Sequence, residues 1–262
     1  MQQTAKKKFG QNFINDKNLI KKIVKSAEIG GKNVIEIGSG KGALTAEILQ
    51  SAKTLTAYEI DKDLFQYLKP LQDNYPNFNL IFKDILKADL DRELLDENYI
   101  LLANLPYNIT TPVLFKFLET KKLNKAIIMI QKEVAERISA HPRTKEYNDL
   151  SIILQYQTNV FKLFNVSPNM FKPKPKVDST VVKIEKVNKY NLTKDEELKF
   201  LKIVKAAFIQ KRKTLVNNLA SFFDISKASL IEFLTSLNYK ENIRAEELKI
   251  EDFLLLSKEW NL

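Results

Sequence analysis

The segment Glu36-Ile37-Gly38-Ser39-Gly40-Lys41-Gly42 sets three glycines at alternate positions behind an acid. Glycine lets a loop turn sharply and lets a ligand approach the main chain closely. The whole chain has six glycines, all before residue 43, where average usage would give about 18. Three of six in one loop point to a built feature. Twenty-one residues after Gly38 stands Glu59, in Tyr58-Glu59-Ile60-Asp61. A carboxylate at the end of a strand there can accept both hydrogen bonds from a ribose diol. Asp84, in Lys83-Asp84-Ile85-Leu86, offers an acceptor for the exocyclic amine of an adenine. These residues predict a nucleoside site.

The glycine spacing narrows the nucleoside. A dinucleotide loop places its third glycine three residues after the second. Here the pattern is G-x-G-x-G behind an acid, which resembles the first motif of S-adenosylmethionine-dependent methyltransferases. The acidic balance of residues 26–100, eight bases against thirteen acids, suits a sulfonium cation better than an anionic dinucleotide. Asn104-Leu105-Pro106-Tyr107 resembles the active-site motif of enzymes that methylate exocyclic amines of bases. An aromatic amine is a poor nucleophile because its lone pair is delocalised into the ring. The Asn104 side-chain oxygen and a backbone carbonyl beside Pro106 can draw its two protons and localise that pair. Pro106 fixes the backbone, and Tyr107 offers a ring on which an extruded base can stack.

The elements that must carry these residues follow from periodicity. Residues 17–28 read as an amphipathic helix, with Leu19, Ile20, Ile23, Val24 and Ala27 on one side. Strands are predicted at 33–37, 54–60, 79–82, 99–103 and 125–130, and helices at 43–52, 64–71, 112–118, 133–138 and 149–156. Residues 160–164 and 180–186 read as extended. This alternation predicts a doubly wound, mostly parallel sheet. The pattern changes near residues 187–192. Helices are predicted beyond it at 194–207, 213–222, 227–237 and 245–258, with no strand.

Composition excludes much other chemistry. The 262 residues include no Cys and one His, His141. That removes thiolate nucleophiles, Cys-based zinc sites and multi-histidine metal sites, and argues against a Ser-His-Asp triad. No metal is expected. No apolar run of signal-peptide or membrane-spanning length occurs, so a soluble intracellular protein is expected. Net charge is +10, in blocks. Residues 1–25 hold seven Lys and one acid, residues 161–177 four Lys and no acid, and residues 198–223 six Lys/Arg and no acid. Basic blocks around an acidic one suit a polyanion bound around a cation site.

With these motifs placed, the chain closely resembles the small-subunit ribosomal RNA adenine N6,N6-dimethyltransferases over almost its whole length. The resemblance begins at Lys8-Phe9-Gly10-Gln11-Asn12-Phe13-Ile14-Asn15-Asp16. It continues through Gln131-Lys132-Glu133-Val134-Ala135-Glu136-Arg137, Phe171 to Ser179, Gln210-Lys211-Arg212-Lys213-Thr214-Leu215 and Arg244-Ala245-Glu246. It implies an α/β fold, with a Rossmann-like S-adenosylmethionine-dependent methyltransferase domain over residues 1–188. A small all-helical domain that binds RNA and the ribosome follows over 189–262. By resemblance Gln11, Asn12, Ile14, Gly38, Gly40, Glu59, Ile60, Asp84, Ile85 and Asn104 hold S-adenosylmethionine. Asn104, Leu105, Pro106 and Tyr107 form the catalytic set, with Phe171 as a second aromatic opposite Tyr107. Lys6, Lys7, Lys8, Lys172, Lys174, Lys211, Arg212 and Lys213 are the expected RNA contacts.

The implied substrate is two adjacent adenosines near the 3′ end of small-subunit (16S) rRNA, each methylated twice in a partly assembled subunit. A cytoplasmic monomer is expected. Ser39 stands where many relatives have Pro, and little effect is expected because the glycines remain. Lys174 interrupts a run of prolines, and its Lys-Pro-Lys-Pro-Lys setting also resembles the large-subunit methyltransferases of macrolide resistance. That enzyme, or a non-catalytic ribosome-assembly factor, is the alternative reading. Leu105, the 131–137 segment and Asp178 lean to the small-subunit enzyme.

Overall fold

The computed structural model describes Lys6 and residues 9–260. Helix α1 (Lys17–Ala27) forms where the apolar spacing requires one. Asp16 caps it by accepting from the Leu19 N–H at 2.7 Å, and a left-handed Glu28 ends it. Its five buried residues are the five of the predicted stripe.

Alternation then builds the sheet. Strands β2 (Asn33–Ile37), β3 (Thr54–Glu59), β4 (Phe78–Phe82), β5 (Tyr99–Asn104) and β6 (Leu123–Gln131) are parallel, in the order β4-β3-β2-β5-β6. Helices α2 (Ala43–Leu49), α3 (Phe65–Asn74), α4 (Leu90–Glu93) and α5 (Thr110–Glu119) lie between them in sequence. Strand β9 (Ser179–Lys186) joins β6 antiparallel, and β7 (Thr158–Val166) is the far edge. Inner strands carry runs such as Ile127-Ile128-Met129-Ile130, all at most 1% exposed, as strands covered on both faces must. The strand order reverses at β2, where β3 lies on one side and β5 on the other. A crevice forms outside the strand ends at such a switch point. This is the Rossmann-like fold expected.

A second, two-stranded sheet was not legible in the sequence. Strand β1 (Phe13–Ile14) pairs antiparallel with β8 (Phe171–Lys172), so that Ile14 faces Phe171. Two-residue strands have no period to detect.

The chain divides into two compact units. One holds the residues up to Ala135 with Asn159–Lys186, and the other Glu136–Thr158 with the residues from Val187 onward. The sequence boundary at 188/189 therefore misses an excursion. Helix α6 (Lys132–Ile138) runs into it, and α7 (Asp149–Gln157) belongs to the helical unit. Within that unit Tyr147 donates to the Leu248 carbonyl at 2.9 Å, and Gln157 donates to Glu197 at 2.7 Å. Helices α8 (Lys194–Ala207), α9 (Leu215–Phe223) and α10 (Lys227–Ser236) fall where expected. The single helix predicted at 245–258 is instead a 3-10 turn at Ala245–Glu247 and then α11 (Ile250–Glu259). Glu247 accepts from the Arg244 N–H and Asp252 from the Lys249 N–H, so each piece has its own start. Among the described residues no helix is long and apolar enough to cross a membrane.

Gly42 shows how tightly the loop is held. Its φ is +81°, and a Cβ there would lie 2.8 Å from Leu71 Cδ1. Gly42→Ala should therefore cost about 2 kcal/mol, the sum of left-handed strain and overpacking. The urea midpoint measures it, and an unchanged midpoint would refute the tight fit.

Candidate active site

The ends of β2, β3, β4 and β5 open on one cavity of about 600 Å³, roofed by residues 9–15. All ten residues nominated from Gln11 to Asn104 for a donor line it, as do Leu105, Pro106 and Tyr107.

The carboxylate of Glu59 is the best-held group in it, at 4% exposure. Its Oε2 accepts from the Gly40 N–H, and its Oε1 from the N–H groups of Ile60 and Asp61, each at 2.9 Å. Burial raises its pKa, and the three backbone donors oppose that rise. Gly40 reaches Glu59 because it sits at φ +58°, and a Cβ on it would meet the Phe13 ring at 3.1 Å. Asp84 accepts from the Leu86 N–H with Oδ1 at 3.0 Å. The apolar lining beside it includes Ile60, Ile85 and Leu86. Apolar walls with a few convergent acceptors suit a nucleoside.

Behind the loop lies Glu36, fully buried. Its Oε2 accepts from Ser39 Oγ at 3.0 Å and Thr45 Oγ1 at 2.7 Å, while Oε1 has no hydrogen-bond partner among the described residues. Ser39 therefore does matter, because its hydroxyl solvates a buried acid and a proline could not. Burial pushes the Glu36 carboxyl up to about 7. A carboxyl whose folded pKa exceeds its unfolded value is stabilising below the unfolded value, and that stability is lost as pH rises towards 7. Glu36→Gln, which stays neutral, should thus gain stability relative to wild type between pH 5 and pH 8. Thermal midpoints across that range check it, and a difference independent of pH would refute it.

At the end of β5, Asn104 donates through Nδ2 to the Asn12 carbonyl at 2.9 Å. The amide oxygen is thereby the branch left to accept. Leu105 is buried, and Pro106 leads into a 3-10 turn at Tyr107–Ile109. The Pro106 carbonyl accepts from the Ile109 N–H at 3.1 Å. The Tyr107 hydroxyl bonds Ser179 Oγ at 2.9 Å, which fixes the ring at the cavity edge.

Some expected residues lie elsewhere. Phe171 is 5% exposed, packed in the core opposite Ile14, and does not line the cavity. Pairing of β1 with β8 draws it inward. Lys6 is not positioned for an RNA phosphate. Its ammonium pairs with Asp61 at 2.6 Å and Asp63 at 2.5 Å. Lys7 and Lys8 lie outside the described residues. Lys172 and Lys174 are exposed on the sheet unit. Lys211, Arg212 and Lys213 are exposed on the loop before α9 of the helical unit, where Lys211 donates to the Lys145 carbonyl. Thr214 caps α9 and so leaves Lys213 in that loop. Sequence reasoning missed Phe13, which packs on Gly40 with the Lys41 ammonium 5.1 Å from its ring centre. It stands between the nominated Asn12 and Ile14, which was the available signal.

A family described as ribosomal RNA adenine dimethylase matches residues 2–262. A ribosomal RNA small subunit methyltransferase A of Onion yellows phytoplasma is 46% identical over 99% of this chain and 97% of its own. The solved structure of a dimethyladenosine transferase from Plasmodium falciparum is 27% identical, covers 94% of this chain and 98% of its own, and has a TM-score of 0.79. The 23S rRNA methyltransferase ErmE, 24% identical over 96% of this chain and 100% of its own with a TM-score of 0.72, shares the fold.

Proposed function

The chain belongs to the ribosomal RNA adenine dimethylase family, and from that premise we propose that it is an S-adenosylmethionine-dependent methyltransferase of small-subunit ribosomal RNA. It converts two adjacent adenosines near the 3′ end of that RNA to N6,N6-dimethyladenosine. It acts as a cytoplasmic monomer on a partly assembled small subunit. The observation that carries the reading is Asn104: it lines the cavity, and one of its amide N–H groups is held by the Asn12 carbonyl, which fixes the nitrogen end and leaves the oxygen end to accept.

The cavity residues fit that donor. Glu59 and Asp84 offer acceptors at adjoining strand ends, and the glycine loop keeps side chains out of the way. When bound, S-adenosylmethionine supplies an electrophilic methyl group on a sulfonium. The protein's share is positioning and electrostatics. Asn104 Oδ1 accepts one proton of the target amine. The Pro106 carbonyl is engaged by Ile109, so the Leu105 carbonyl is the one that accepts the other. Together they localise the nitrogen lone pair towards the methyl group. Tyr107 stacks on the extruded adenine. No histidine base takes part. Lys172, Lys174, Lys211, Arg212 and Lys213 meet phosphates, so subunit binding weakens steeply with salt.

Incubation with labelled donor and undermethylated small subunits, followed by nucleoside analysis, tests the reading. N6,N6-dimethyladenosine mapped to small-subunit RNA is expected. Label in large-subunit RNA would transfer the protein to the macrolide-resistance type, and donor binding without turnover on any subunit would make it an assembly factor.

A further inference from the structure

Asp61 has no part in the set described so far, yet its side chain is 2% exposed and both oxygens are engaged. Oδ1 accepts from Lys6 Nζ at 2.6 Å and from the Asp63 N–H at 3.3 Å, and Oδ2 accepts from Gln11 Nε2 at 3.0 Å. The ring closes through Gln11 Oε1, which accepts the main-chain N–H of Lys6 at 2.9 Å. Burial raises the Asp61 pKa, but donation from Lys6 and Gln11 outweighs it and holds the carboxyl below its usual range. Hydrogen bonds to the Asp61 and Asp63 carboxylates raise the Lys6 pKa.

The ring lies between two functional groups. On one side, the Asp61 N–H donates to Glu59 Oε1 at 2.9 Å. On the other, Gln11 is followed by Asn12, whose carbonyl accepts from Asn104 Nδ2 at 2.9 Å. An amide side chain has two ends of similar shape and opposite polarity. Which end of Asn104 is left for substrate depends on the Asn12 carbonyl staying in place.

We propose that Asp61 is a positioning residue, which latches Lys6 and Gln11 beside the donor cavity and through Gln11 and Asn12 holds Asn104 with its oxygen available to the target amine. The inference rests on the donor site proposed above. The ring has one polarity. Lys6 N–H donates to Gln11, and Gln11 donates to Asp61. Asp61→Asn turns one end into a donor, so either Gln11 Nε2 or Lys6 Nζ loses its acceptor. Lys6→Met removes the ammonium from the other side while leaving the carboxylate.

The test measures the S-adenosylmethionine dissociation rate by stopped flow for Asp61→Asn, Lys6→Met, the double variant and Lys6→Arg. In donor-free protein it also measures exchange of the Asn104 side-chain amide protons by NMR. Each of the first two should dissociate on the order of tenfold faster, the ratio for one lost hydrogen bond to a charged group. The double variant should be no worse than the singles, since they share one ring. Lys6→Arg should stay near wild type, and Asn104 amide exchange should quicken in Asp61→Asn at an unchanged thermal midpoint. Rates within about twofold of wild type, a double variant that multiplies the singles, or unchanged amide exchange would each overturn the latch. If Asp61→Asn does not fold, Lys6→Met carries the test alone. Failure of the wild-type protein to bind S-adenosylmethionine would instead remove the donor reading, and the amide exchange would still decide the latch.

Discussion

Asn104→Ala should lower methyl transfer to undermethylated small subunits by on the order of 10²–10³-fold, the cost of removing one preorganised polar group at a developing charge. Subunit affinity should stay within about twofold, because no exposed basic residue is touched. Donor affinity should fall only modestly. The variant loses the bond to the Asn12 carbonyl, but Glu59, Asp84 and the glycine loop remain. Asn104→Asp separates the two jobs of the amide. It keeps an acceptor for the amine but sets a carboxylate oxygen against the Asn12 carbonyl, so it should loosen the roof as well as slow transfer. Single-turnover rates with saturating donor, beside filter binding to subunits, read both effects. If Asn104→Ala reduced subunit binding as much as turnover, the catalytic assignment would fail.

The parts of this site legible in the sequence are those whose signal is local. The glycine loop, Glu59 and Asn104-Leu105-Pro106-Tyr107 each stand at the end of a buried apolar run, and spacing alone placed them at strand ends. What spacing did not show depends on partners far apart in the chain. Gln11 and Asp61 are 50 positions apart, and Asn12 and Asn104 are 92 apart. The pairing of Phe13–Ile14 with Phe171–Lys172 joins segments with no period of their own. That pairing buries Phe171, which by type alone reads equally well as a stacking ring. Lys6 misleads similarly. It sits in a basic run, but the two acids that claim it arrive only when β3 ends beside the roof. Residues 136–158 read as helical sequence between the extended segments at 125–130 and 160–164, so only their tertiary partners, such as Leu248 for Tyr147, assign them to the helical unit.

Glu59→Ala should have the second large effect, on the donor and not on the RNA. The carboxylate holds three backbone N–H groups, from Gly40, Ile60 and Asp61. With about four lone-pair sites on its two oxygens, it can receive a ribose diol only by giving up some of these bonds. The Gly40 N–H is the natural one to yield, since it comes from the loop and the other two come from the turn after β3. Alanine removes the ribose acceptor and leaves these N–H groups in a site at 4% exposure. Donor affinity should drop on the order of a hundredfold, as expected for two lost hydrogen bonds to a charged group. Glu59→Gln keeps one acceptor and should fall between. The pH dependence follows from the raised pKa of Glu59. Donor affinity should be full where the carboxylate is ionised. It should decline as pH falls through a value above the usual carboxylate range, because the protonated acid accepts less. Calorimetric titration with S-adenosylmethionine across that range reads both effects. The ribose assignment is excluded by a donor dissociation constant unchanged in Glu59→Ala. An acid-side decline retained in Glu59→Gln would assign the titration to another group.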